Sequence, residues 1–141
     1  MNDNELLQHI HQTAQMGRQG IFDVLGYVKD ETFRQALNAQ MNEYKDLANR
    51  SGELLYERGE QPKEIGTMAK VSSEVMSTVK TLSDHSPSKI AEMMIQGNTM
   101  GITKSTKCLN DYTGTDPGVR KLADCLLKTE QANVEQMKKY L

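Results

Sequence analysis

Apolar and small residues recur at Leu7, Ile10, Ala14, Gly17, Ile21, Val24 and Val28, in alternating steps of three and four. Such steps keep every member on one helical face, so the pattern predicts a first helix over residues 4–28. Asp30 then stands where a cap is wanted, with Glu31 in the acid-favouring first turn. A second stripe runs through Phe33, Leu37, Gln40, Tyr44, Leu47, Ser51 and Leu54 and stops at Arg58-Gly59, a basic last turn followed by glycine.

Gly59-Glu60-Gln61-Pro62 is the clearest break in the chain. Beyond it Ile65, Met68, Ser72, Val75, Val79 and Leu82 repeat the alternation and predict a shorter helix over 63–84. Ser86-Pro87 then reads as an N-cap followed by the first helical residue. The helix it opens carries Ile90, Met94, Gly97, Gly101 and Cys108 on one line and Ile95, Ile102 and Leu109 on another, which predicts burial on more than one side. After Thr113-Gly114-Thr115-Asp116-Pro117, the seam Val119, Ala123, Leu126, Glu130, Asn133, Met137 and Tyr140 defines the last helix. The expected fold is all-α, a single domain over 1–141. It is an antiparallel four-helix bundle in which hairpins 4–58 and 88–141 are joined by a crossover helix over 63–84.

Composition agrees with this. The 141 residues include three prolines, at 62, 87 and 117, spaced for helices rather than for strands. Aromatics are 5%, Trp is absent and Met numbers nine, which favours packing through Leu, Ile, Met and Ala over a β-sandwich. Gly17, Gly20, Gly97 and Gly101 lie inside predicted helices, where glycine costs about 1 kcal/mol relative to alanine; close helix approach is the expected return.

Charge narrows the function. A net −2 from 17 basic and 19 acidic residues is too balanced for a protein built to neutralise phosphates, so no nucleic-acid partner is expected. Residues 1–62 hold six Lys/Arg against ten Asp/Glu, and residues 63–141 eleven against nine. The polar opening Met1-Asn2-Asp3-Asn4-Glu5 and the lack of any run of 18 apolar residues predict a cytoplasmic protein without a membrane role. Cys108 and Cys125 flank the turn near Gly114 and form neither a disulfide framework nor a zinc motif.

Catalytic constellations are scarce. His9 and His11 lie two residues apart and point to different sides of a helix, so they do not chelate one ion together. His85 sits in the Asp84-His85-Ser86-Pro87 turn. No nucleophile signature and no phosphate-cradling glycine loop occurs. Methionines 68, 76, 93, 94, 100 and 137 read as core filler, and the second stripe Ile95, Ile102, Leu109 as a sign of a partner.

Acidic and polar residues do occur inside the seams, in Glu43-Tyr44-Lys45-Asp46 on the second helix and Glu130-Gln131-Ala132-Asn133 on the last. With its two long hairpins and crossover, the chain resembles the ferritin-like superfamily. Metal-binding members place a Glu on the first helix of each hairpin and Glu-x-x-His on the second, because carboxylates bridge two divalent ions and imidazole completes each coordination sphere. The resemblance makes Glu43 and Glu130 the candidate metal ligands, while both histidines and both first-helix carboxylates are missing.

Turns centred near Asp30 and between Gly114 and Thr115 set Glu43 opposite Met16, near Gln12, Gln15 and Gln19. They set Glu130 opposite Thr99, beside Gln96 and Asn98. Amides and hydroxyls do not neutralise a di-metal pair. The expectation is a hydrogen-bonded polar layer of Glu43, Glu130, Gln15, Gln40, Thr99 and Asn133 that fixes helix register, with no cofactor and no enzymatic activity. The expected role is protein association, as a homodimer or with another protein, like the coat and stress-associated bacterial proteins that share this general likeness. The alternative is a divalent-metal-binding protein using Glu43 and Glu130.

Overall fold

A computed structural model of the chain describes residues 1–63, 79–80 and 82–141. These residues form four long helices, α1 (Asp3–Leu25), α2 (Glu31–Glu57), α3 (Pro87–Asp111) and α4 (Pro117–Lys138), and no strand. The crossover helix expected over 63–84 lies largely outside the described residues.

Side-chain caps define where each helix begins. Asn2 Oδ1 accepts from the Glu5 amide at 2.9 Å while Glu5 Oε2 accepts from the Asn2 amide at 2.8 Å, a reciprocal capping box. Asp30 accepts from the Phe33 amide at 2.8 Å, and Ser86 from the Lys89 amide at 3.3 Å. Asp116 accepts from Gly118 at 2.9 Å, with Pro117 at the first helical position as Pro87 is in α3. At the end of α2, Gly59 adopts φ +73°, the left-handed conformation that glycine enters without Cβ strain.

One boundary differs from expectation: α1 stops at Leu25 rather than at 28. Gly26 is the C-cap, and a side chain of the next helix closes the turn that follows. Arg34 Nη1 donates to the carbonyls of Leu25 at 2.7 Å and Val28 at 3.0 Å, satisfying acceptors that the terminated helix leaves open.

The seams on α1, α2 and α4 are the core. Leu7, Ile10, Ala14, Ile21 and Val24 from α1, Phe33, Leu37 and Leu47 from α2, and Val119, Leu126 and Met137 from α4 are all buried together. Each large aliphatic among them contributes about 1.5–3 kcal/mol of transfer free energy. Helix α3 departs from its expected burial on several sides. Only Ile90, Ala91, Asn98 and Ser105 are buried, one narrow strip of which half is polar; Met94, Ile95, Ile102, Cys108 and Leu109 are half-buried, and Gly97 is exposed. Ile90 and Ala91 join the core and Met94, Ile95, Cys108 and Leu109 pack against its edge, while the polar Asn98 and Ser105 take the remaining buried positions of the strip.

All four helices meet at one end of the molecule. Arg58, at the C-terminus of α2, ion-pairs with Asp116 and with Asp3 (3.8 Å), carboxylates at the N-termini of α4 and α1. The Tyr112 hydroxyl, just past α3, donates to Asp3. Cation at a helix C-terminus and anions at two N-termini match the backbone dipoles.

Candidate functional site

A band of buried polar groups crosses the middle of the bundle. Tyr44 reaches into it from α2, its ring lying so close to α1 that a Cβ at Gly17 would sit 2.7 Å from the aromatic carbons. The hydroxyl donates to Asn98 Oδ1 of α3 at 2.9 Å, and Asn133 of α4 lies beside it. Burial, and then the neighbouring charge of Glu130, push the phenol far above its ordinary pKa, so Tyr44 acts as a fixed hydrogen-bond donor. Nearby, Gln40 Nε2 of α2 donates to Gln136 Oε1 of α4 at 2.7 Å.

Glu130 occupies the next position along. Its side chain is 2% exposed, and its Oε2 lies 1.8 Å from where a Cβ of residue 101 would stand. Gly101 is therefore the notch that admits this carboxyl. Ser105, one turn on, donates its hydroxyl to Glu130 Oε1 at 3.3 Å, and the Ser105 oxygen lies 3.0 Å from His9 Nε2 of α1. Ser105 thus links Glu130 to His9, and the direction of the Ser105–His9 bond follows the imidazole tautomer. Burial drives the Glu130 pKa up to about 7, with the Ser105 hydrogen bond opposing. Burial and the nearby Lys104 ammonium hold His9 below its ordinary value, favouring the neutral imidazole.

The sequence-derived residues divide. Glu130, Gln40 and Asn133 lie in the buried band. Glu43 does not: it is exposed, because neighbouring helical residues point about 100° apart and Tyr44 takes the inward direction. The two carboxylates are thus not brought together in the core. Thr99 is also exposed, its place in the band taken by Asn98 and Ser105 on the strip that faces α1 and α4. Gln15 is half-buried on the opposite side of α1 from the band, lining an outer groove. Asp46 is exposed and pairs with Arg50 at 3.6 Å. His9 and His11 do diverge, the latter bonding the Ala48 carbonyl at 3.0 Å.

Missed at the sequence level as members of the band were His9 and Ser105, while Asn98 was named beside the expected opposite of Glu130. The available signal was a charged residue, Glu130, in the apolar seam of one helix with a glycine, Gly101, two positions from its expected opposite. Among the described residues no group of three or more His, Cys, Asp or Glu side chains is placed to hold a metal ion. The Ser105–His9 contact has the reach of a nucleophile and its base, but the serine is 3% exposed and also bonded to Glu130. Its geometry is that of an internal link.

The outer groove runs between α1 and α2, has a volume of about 420 Å³, and is lined by Gln15, Arg18, Gln19, Phe22, Met41, Asn42 and Lys45. No described helix is long and apolar enough to cross a membrane. Comparison with protein-family models, with curated proteins and with solved structures gives no match.

Proposed function

We propose that this chain is a ferritin-like bundle, two antiparallel helical hairpins and a crossover, that works without catalysis by associating with protein, as a structural, coat or stress-associated component of the cytoplasm. The observation that carries the reading is the apolar surface left outside the core. Phe22, Tyr56 and Met100 are 65%, 75% and 68% exposed, on three different helices. The polar band, by contrast, makes its hydrogen bonds between helices of the bundle, and Gln40 Oε1, Asn98 Nδ2 and Asn133 Nδ2 stay buried there without a hydrogen-bond partner among the described residues. Exposed aromatic and methionine side chains are what association surfaces enrich.

Photo-crosslinking in cells from positions 22, 56 and 100 is expected to give adducts of defined mass that the exposed polar position Thr103 does not give. Absence of adducts at all three would overturn the reading. Metal analysis of protein purified without chelator separates it from a metal-binding role for Glu43 and Glu130. Substoichiometric metal, unchanged in Glu43→Ala/Glu130→Ala, is expected. Stoichiometric iron, manganese or zinc that disappears in the double variant would refute the non-metal assignment.

A further inference from the structure

The outer face of α2 carries two patches of opposite charge, each with an exposed or half-exposed apolar anchor. Nearer the start of the helix, Phe22 and Met41 line the groove with Arg18 and Lys45, two exposed cations that make no ion pair among the described residues. No carboxylate lines that groove, although residues 1–62 as a whole are acidic. Nearer the end of the helix, Tyr56 projects between Glu53 and Glu57, both exposed and both without an ion pair among the described residues. Lys45, Asn49, Gly52 and Tyr56 follow one another by four, three and four, so both patches lie along a single strip, with about 16 Å between Lys45 and Tyr56.

We propose that this strip is a two-fold interface between two copies of the chain, with Tyr56 of each copy seated in the Phe22–Met41 groove of the other. The proposal rests on the association reading above and names the partner as a second copy. A two-fold contact must be self-complementary, each residue meeting a partner twice. Laying two α2 strips head to tail about Asn49 sets Lys45 opposite Glu53 and Asn42, beside Phe22, opposite Tyr56. Asn49, at the axis, meets its own copy as an uncharged residue, so no like-charge repulsion arises where a two-fold forces identity. An aromatic anchor entering a half-apolar groove with opposite charges at its rim supplies both the buried contact and the orientation. A foreign acidic peptide would satisfy the groove alone; only a second copy also uses the Tyr56 patch.

The test is sedimentation velocity of the full chain over a concentration series at low salt, with circular dichroism confirming that each surface variant keeps its helices. Wild type is expected to dimerise, with weaker association as salt screens the charges. Lys45→Glu and Glu53→Lys are each expected to weaken the dimer at least about tenfold, since each substitution acts twice. The Lys45→Glu/Glu53→Lys exchange is expected to restore it, and Phe22→Ser to weaken it with no change in salt dependence. A wild-type dimer that both charge reversals leave intact, or that the exchange does not rescue, would overturn this face while leaving association in place. A wild type that stays monomeric throughout would overturn self-association, and adducts at masses other than the dimer would then show that association proceeds with a different protein.

Discussion

Glycines of the same helices serve opposite ends, and substitution separates them. Alanine at an unstrained helical glycine gains about 0.5–1 kcal/mol. Gly20 and Gly97 have nothing within 4 Å of a built Cβ, so Gly20→Ala and Gly97→Ala are expected to stabilise the fold by that amount, read as a higher urea midpoint at unchanged slope. At Gly101 the same methyl would stand 1.8 Å from Glu130 Oε2, and at Gly17 2.7 Å from the Tyr44 ring. Gly101→Ala and Gly17→Ala are expected to lose about 1–3 kcal/mol, as overpacking does, despite the propensity gain. Glu130 itself makes stability pH-dependent. Its carboxyl loses its proton near pH 4.5 when unfolded but near 7 in the fold, because burial disfavours the charge. The folded state binds the extra proton between those values, so the contribution is complete below pH 4.5 and is lost as pH rises through 7, by roughly 3 kcal/mol at most. His9 works the other way, remaining neutral in the fold below its ordinary pKa of 6.5 and so weakening the fold as pH drops. The difference between wild-type and Glu130→Gln unfolding curves from pH 4.5 to 8 isolates the glutamate: a difference independent of pH would refute its raised pKa.

Elements were legible where the signal was local. Asp30, Ser86-Pro87 and Asp116-Pro117 were readable as caps because the bond each makes spans two or three residues, and the seams of α1, α2 and α4 because period alone separates inside from outside. The end of α1 was not, since the group that closes the turn after it, Arg34, lies nine residues beyond Leu25. The candidate site suffered from the same limit. Glu130, Gln40 and Asn133, assigned by seam membership, are buried, whereas Glu43 and Thr99, assigned by counting across turns, are exposed. The counted register fell short of the real one, in which Glu130 faces Gly101 and Ser105. A count cannot see that Gly101 offers a notch and Thr99 does not. Arg34 provides the check on the turn: Arg34→Ala is expected to cost about 1–2 kcal/mol through two lost charge-assisted bonds and to speed hydrogen exchange over residues 25–30. Arg34→Lys is expected to recover less than half, because one ammonium does not reproduce a planar guanidinium reaching two carbonyls. Full recovery by lysine would mean that charge at the turn matters and the fork does not.

For the whole molecule, the question is what fixes one helix pair against the other when two of the four buried residues of α3, Asn98 and Ser105, are polar. Among the described residues, the bonds that cross between α1–α2 and α3–α4 include the Tyr44–Asn98 and His9–Ser105 contacts, the Gln40–Gln136 bond and, at one end, the Arg58, Asp3 and Tyr112 cluster with the Met1 bonds to Asp111 and Thr113. Buried polar links of this kind add little net stability when satisfied and cost much when half-removed. Their use here is to make one alignment of the pairs better than its neighbours, since a shift by one turn would strand the Tyr44 hydroxyl and Asn98 Oδ1 without each other. A double-mutant cycle measures this. Tyr44→Phe leaves Asn98 Oδ1 buried without its donor, and Asn98→Leu leaves the Tyr44 hydroxyl without its acceptor, so each is expected to lose about 1–3 kcal/mol in urea unfolding. Tyr44→Phe/Asn98→Leu removes both partners at once and replaces them with apolar groups, so its loss is expected to be smaller than the sum of the two by about 1–2 kcal/mol. With the alignment no longer enforced there, the double variant should also broaden the amide spectrum of α3 more than that of α2, because α3 has the fewest other buried contacts. Strict additivity of the two losses would show that this bond does not couple the helix pairs, and would leave the end cluster to fix their alignment.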